Sequence, residues 1–145
     1  IGSSYLLDKN DLNKYLISSE KMDIKKGKEI LLALSKFDNA QSIVVVDGYI
    51  LAIEAAEGTD EMLQRVIKIR RQNKTINEKK GVLVKIAKKN QSRLVDLPVL
   101  GPKTIEIVAK ANLASIAINP SLTLILNKKI FLNRAAKKSI NLLQV

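Results

Sequence analysis

Cysteine, histidine and tryptophan are absent from this 145-residue chain, and aromatic residues make up only 3% of it. Without cysteine there is no disulfide and no thiol nucleophile. Without cysteine or histidine there is no nitrogen-and-sulfur zinc site and no imidazole base. Proton transfer is left to Asp, Glu, Lys or Tyr, and a bound metal would be a hard cation held by oxygen, Mg²⁺ or Mn²⁺. The missing cysteine also fits a reducing compartment. No apolar run approaches the roughly 20 residues of a membrane-spanning helix, and no charged and apolar leader of a secretory signal opens the chain. The first residue is Ile1 rather than Met, so we expect further sequence upstream of this one.

Hydrophobic residues are 46% of the chain, enough for one domain whose core is built of Ile, Leu, Val and Ala. Lys and Arg number 25 against 14 Asp and Glu, a net charge of +11. A phosphorylated ligand, nucleic acid or an anionic membrane surface would each answer that charge. The lysine pairs are spread along the whole chain and sit mostly at the ends of elements. That distribution favours a solvated surface written with abundant lysine over a dedicated anionic partner. Nucleic acid is disfavoured, because few aromatics are available for base stacking and no basic helix with a defined face stands out.

Residues 1–19 are Ser- and Asn-rich and read as a linker or hinge, with the domain proper over 20–145. Ile24, Ile30, Leu31, Leu34 and Phe37 follow a helical period and predict a helix from Met22 to Phe37, with Phe37 in the core. Ser42–Val46 and Tyr49–Ala55 read as strands joined at Asp47-Gly48, a strong hairpin-turn pair. A helix follows from Gly58 or Thr59 to about Arg71. Gly81–Ala87 is an apolar strand, and Pro102 opens a helix that ends near Asn112. Ser115–Ile118 and Leu122–Leu126 read as strands, Ile130–Ser139 as a helix and Ile140–Val145 as a closing strand. The order is αββαβαββαβ, an α/β fold with helices packed on a mixed sheet. The apolar final strand could pair with a second copy of the chain.

Three places can carry chemistry. Glu54, Glu57 and Asp60 form an acidic knot at a strand-to-helix junction in a basic chain. Carboxylates converging there can hold Mg²⁺ and, through it, a pyrophosphate. A solvated turn with acidic first-turn residues explains Asp60 and Glu61 by itself, but explains Glu54, which ends an apolar strand, less well. Lys85, Lys88, Arg93 and Asp96 lie along a strand and the loop after it. They are suited to gripping phosphate and orienting water, though a basic surface loop gives the same pattern. Gly101-Pro102-x-Thr104 opens a helix whose free N–H groups could meet an anion; ordinary capping is the plainer explanation.

Taken together, Leu51-Ala52-Ile53-Glu54-Ala55-Ala56-Glu57-Gly58-Thr59-Asp60, Val84-Lys85-Ile86-Ala87-Lys88, Gln91, Asp96-Leu97-Pro98 and Gly101-Pro102-x-Thr104 resemble the LpxI-type UDP-2,3-diacylglucosamine pyrophosphatases. The likeness runs from about residue 20 to the end and corresponds to that family's C-terminal domain. It implies Mg²⁺-dependent cleavage of UDP-2,3-diacylglucosamine to lipid X and UMP in lipid A synthesis. It also implies a cytoplasmic enzyme, peripheral on the inner membrane of a Gram-negative bacterium, with a second domain on the N-terminal side. By the same likeness, Asp96 is the catalytic carboxylate, and Glu54, Glu57 and Asp60 are metal candidates. Lys85, Lys88, Gln91, Gly101 and Thr104 would contact substrate. Ser92 stands where the family often has an acid, Lys89 replaces a proline, and Arg93 is shifted by one position. A non-catalytic domain that binds a phosphorylated lipid or nucleotide sugar is the alternative, and a basic RNA-binding module a more distant one.

Overall fold

The structure, a computed structural model, describes residues 5–13, 15–37, 41–73, 78–87 and 97–145. Five strands form its main sheet: β1 (Ser42–Val46), β2 (Tyr49–Ile53), β3 (Val82–Lys85), β5 (Ser115–Ile118) and β7 (Asn141–Gln144). Their order across the sheet is β2-β1-β3-β5-β7. β1 runs antiparallel to both neighbours, whereas β3, β5 and β7 are parallel. The sheet is thus mixed, as the sequence predicts. β4 (Val99–Leu100) and β6 (Leu124–Ile125) form a separate two-stranded parallel ribbon.

Strand alternation assigns each apolar residue to a side. Ile43, Val45, Val82 and Val84 face α1 (Ser18–Leu34), where Ile24 and Leu31 meet them. Gly27 permits this approach, since a Cβ there would lie 2.9 Å from Val84 Cγ2 and 3.1 Å from Ile43 Cγ2. Val44, Val46 and Leu83 face the other way, toward α2 (Thr59–Gln72), α3 (Pro102–Lys110) and α4 (Lys128–Lys137). α2 contributes Met62, Leu63, Val66 and Ile67, one apolar stripe at helical spacing.

The β1–β2 hairpin turns at Asp47 and Gly48, both with positive φ (48° and 81°), as a two-residue hairpin loop requires. The buried carboxylate of Asp23 on α1 accepts from both turn amides, Asp47 N–H at 3.0 Å and Gly48 N–H at 2.8 Å. One side chain of the first helix therefore fixes a turn 24 residues further along the chain. Gly81, just before β3, has φ +106°, and a Cβ on it would fall 2.4 Å from Val46 Cγ2.

Arg70 carries the connection between α2 and the far side of the layer. It occupies the buried stripe of α2, and its guanidinium donates to the carbonyls of Lys80 (2.8 Å), Ala111 (3.0 Å) and Asn112 (2.8 Å), and to that of Glu78. The sequence marks Arg70 only as a cation near a helix end. Its burial follows from phase, since it lies one turn beyond Val66 and Ile67.

Several expectations shift. α1 starts at Ser18 rather than Met22, with Ile17 at its N-cap and no side-chain cap to announce the start. Phe37, expected in the core, is 66% exposed; the chain leaves α1 for a short 3-10 turn that carries it outward, under the Lys36 ammonium. The strand expected over Leu122–Leu126 contracts to Leu124–Ile125, and β4 adds a strand that the sequence does not announce. Within the segment expected to be a hinge, Leu7 and Leu12 are buried in the core, and Asn13 exchanges hydrogen bonds with Leu142 of β7 (2.7 and 2.8 Å). The outer edge of β7, where a second copy could have paired, is engaged at that point by the chain's own Asn13. None of the described helices is long and apolar enough to cross a membrane.

Candidate functional site

β1 begins with Ser42, β2 ends just before Glu54, and β3 ends at Lys85. Register places these residues in one row: Ser42 is opposite Lys85, and the Glu54 N–H donates to the Ser42 carbonyl at 2.9 Å. Alternation then directs all three side chains to the face of Val44, Ala52 and Leu83, beneath the start of α2. Thr59, the first residue of α2, closes the group.

All four residues are buried, with Glu54 9% and Lys85 7% exposed. Glu54 Oε2 accepts from Thr59 Oγ1 at 2.6 Å and from Ser42 Oγ at 2.9 Å. Thr59 Oγ1 in turn accepts from Lys85 Nζ at 2.9 Å, and the ammonium also donates to the Val99 carbonyl at 3.2 Å. Burial pulls the Lys85 ammonium below the ordinary lysine range, and the nearby charges of Glu54 and Asp60 act against that shift.

Above this row lies a cleft of about 430 Å³ lined by Thr59, Asp60, Lys85, Val99, Lys103 and Thr104, among others. The N-termini of α2 and α3 both open on it, each preceded by a glycine, Gly58 and Gly101, that supplies no side-chain cap. Thr104 Oγ1 donates to Asp60 Oδ1 at 3.1 Å and so pins the two helix starts together. Gly58 is at φ 89°, a conformation that favours glycine, whereas Gly101 is at an ordinary extended φ of −138°. The cleft lies at the carboxyl end of β3, the usual location for ligands in sheets of this kind.

The acidic knot therefore divides. Glu54 points inward to hydroxyls, Asp60 lines the cleft and accepts from Thr104, and Glu57, also in the lining of the cleft, pairs with Arg65. The Arg65 guanidinium hydrogen-bonds Glu57 and holds its carboxyl below the usual carboxylate range. Among the described residues no three acidic side chains stand close enough together to hold a metal ion. Glu57, Asp60, Lys85, Gly101 and Thr104 do share the cleft. Lys88, Gln91 and Asp96, with Ser92, lie outside the described residues; Lys85 and Val99, which flank that stretch in sequence, both line the cleft. Ser42, Thr59 and Lys103 were not among the sequence candidates for chemistry. A polar residue opening the otherwise apolar run of β1 was the signal for Ser42.

Fold and cleft define an α/β domain with an open cleft at the end of a mixed sheet and a buried lysine in its floor. Residues 12–143 match the family described as the LpxI C-terminal domain, and the chain belongs to that family. It is 39% identical over 112 residues to the UDP-2,3-diacylglucosamine pyrophosphatase LpxI of Caulobacter vibrioides. That alignment takes in 76% of this chain and 40% of the relative, so the chain spans less than half of the relative's length.

Proposed function

We propose that this chain is the C-terminal portion of a hydrolase that cleaves the pyrophosphate of UDP-2,3-diacylglucosamine to lipid X and UMP. Family membership and the similar pyrophosphatase supply the substrate class. The observation that carries the reading is the Lys85 ammonium, held in the floor of a cleft between two glycine-capped helix starts. Cations and free helix N–H groups stabilise phosphate oxygens, and most strongly where water is partly excluded.

In the proposed reaction water attacks one phosphorus, the P–O–P bond breaks, and one phosphate leaves with each half of the substrate. Lys85 and the Lys103 N–H at the start of α3 would hold the negative oxygens as charge builds, since Pro102 has no N–H and the Thr104 N–H is bonded to the Gly101 carbonyl. Lys103 would bring a second cation to the rim. Asp96, by the family resemblance, would orient the water. The described carboxylates do not by themselves fit a magnesium ion, since each has a different partner. The roles above therefore rest on the chain's own groups. The proposal includes an N-terminal partner domain of the same protein and cytoplasmic action at the inner-membrane surface, where the lipid substrate resides.

The test is UMP release from UDP-2,3-diacylglucosamine by this chain and by a longer protein that includes an N-terminal domain, each with Mg²⁺ and with chelator. Release by the longer protein supports the hydrolase, and loss of release with chelator supports the Mg²⁺ requirement. Binding of the substrate without release by either protein would leave a binding domain and overturn the hydrolase reading.

A further inference from the structure

We propose that Ser42, Glu54 and Thr59 are positioning residues that hold the Lys85 ammonium against the cleft, where it anchors a phosphate or pyrophosphate group. This rests on the phosphate-bearing ligand of the preceding reading but assigns Glu54 a role other than metal ligand.

The hydrogen bonds have a direction. Thr59 has one hydroxyl proton, and the 2.6 Å contact gives it to Glu54 Oε2. Its oxygen is then left to accept from Lys85 at 2.9 Å. Ser42 Oγ lies 2.9 Å from the same carboxylate oxygen and 3.1 Å from Thr59 Oγ1, closing the group on its inner side. The carboxylate is thus the terminus of a chain running from ammonium to hydroxyl to carboxylate. Its charge acts on Lys85 through Thr59, without the direct salt bridge that would turn the ammonium away from the cleft.

An ammonium has three donors. Among the described residues Lys85 uses two, on Thr59 Oγ1 and the Val99 carbonyl, while its side chain lines the cleft. The third donor is available to a ligand there. A long lysine stem ordinarily loses rotamer freedom when it grips an anion. Here that freedom is already removed by burial and by two fixed acceptors, the preorganisation that favours tight anion binding.

The experiment is calorimetric titration of this chain with inorganic pyrophosphate, for the unsubstituted protein, Lys85→Met, Thr59→Val, Thr59→Ser and the Lys85→Met/Thr59→Val double variant. Loss of a charge-assisted hydrogen bond predicts about tenfold to a hundredfold weaker binding for Lys85→Met and for Thr59→Val. Thr59→Ser keeps the hydroxyl and retains affinity to within about threefold. Because Thr59 acts through Lys85, the double variant is no weaker than Lys85→Met alone, to within about threefold. A residue with only a structural role would not show that coupling. Circular dichroism checks that each variant folds; if Thr59→Val does not, Glu54→Gln takes its place with the same expected loss and coupling. The proposal is overturned if the unsubstituted chain does not bind pyrophosphate, if folded Lys85→Met binds as well as the parent, or if the two losses add. Coupled losses without UMP release would keep this assignment and remove the hydrolase; UMP release with additive losses would do the reverse.

Discussion

Replacing Arg70 with Met tests whether one guanidinium holds the α2–α3 layer together. Arg70 donates to four described carbonyls, those of Glu78, Lys80, Ala111 and Asn112. Hydrogen bonds from a charged donor contribute about 1.5–3 kcal/mol each, so four at the low end amount to about 6 kcal/mol. Met fills similar volume and avoids the cost of burying a cation, which returns several kcal/mol. The net expected loss is about 3 kcal/mol, or a fall in Tm of roughly 6–12 °C for a domain of this size. Urea unfolding followed by circular dichroism measures it directly. Arg70→Lys should recover less than half, because a point-charge ammonium cannot reach carbonyls on both sides of the helix end as the planar fork does. A loss under about 1 kcal/mol for Arg70→Met would refute the reasoning, because a bond to a charged donor is itself worth more than that.

Gly81→Ala, with φ +106° and a Cβ 2.4 Å from Val46 Cγ2, should cost about 3 kcal/mol or more and lower the yield of folded protein in the same unfolding assay. Asp23→Ala removes the acceptor of both hairpin-turn amides and should cost about 2 kcal/mol, with faster hydrogen exchange at Asp47 and Gly48 as the local signature. Lys85 gives a pH dependence of known sign. Its folded-state pKa is lowered by burial, so between that value and the unfolded lysine value of about 10.4 the unfolded chain binds more protons. The parent should therefore gain stability relative to Lys85→Met as pH rises through that window and level off above it. A flat or falling difference in paired urea titrations would contradict the assignment of burial as the dominant cause.

Much of the fold is legible in local pattern. Ser115–Ile118 is expected and found with the same ends, and Asp47-Gly48 announces its hairpin because few other pairs accept two positive φ values. Glu54 stands out because a carboxylate that closes an apolar strand needs a partner. The failures are non-local. β4 has two residues and exists only by pairing with β6, about 25 residues further on, so no local period reveals it. Phe37 has the right helical spacing for the core, but the chain changes to a 3-10 turn before reaching it. The start of α1 carries no capping side chain that could be read in advance.

The candidate site divides in the same way. Composition alone limited the chemistry to oxygen and nitrogen groups without imidazole or thiol, and the acidic block and Lys85 could be picked out by type and position. Which carboxylate faces which partner could not, because Glu54, Glu57 and Asp60 lie within seven residues and differ only in where strand end, turn and helix direct them. Register brought Ser42, Glu54 and Lys85 into one row, and the start of α2 added Thr59. The sequence by itself determined the α/β class, the apolar core and the residue types available for chemistry, because these depend on composition and on periods of two and about 3.6 residues. Only the tertiary structure decided that Glu54 turns inward to support a lysine, that Glu57 pairs with Arg65, and that Arg70 is buried. Those outcomes depend on contacts between segments 8 to 42 residues apart, and no local period encodes them.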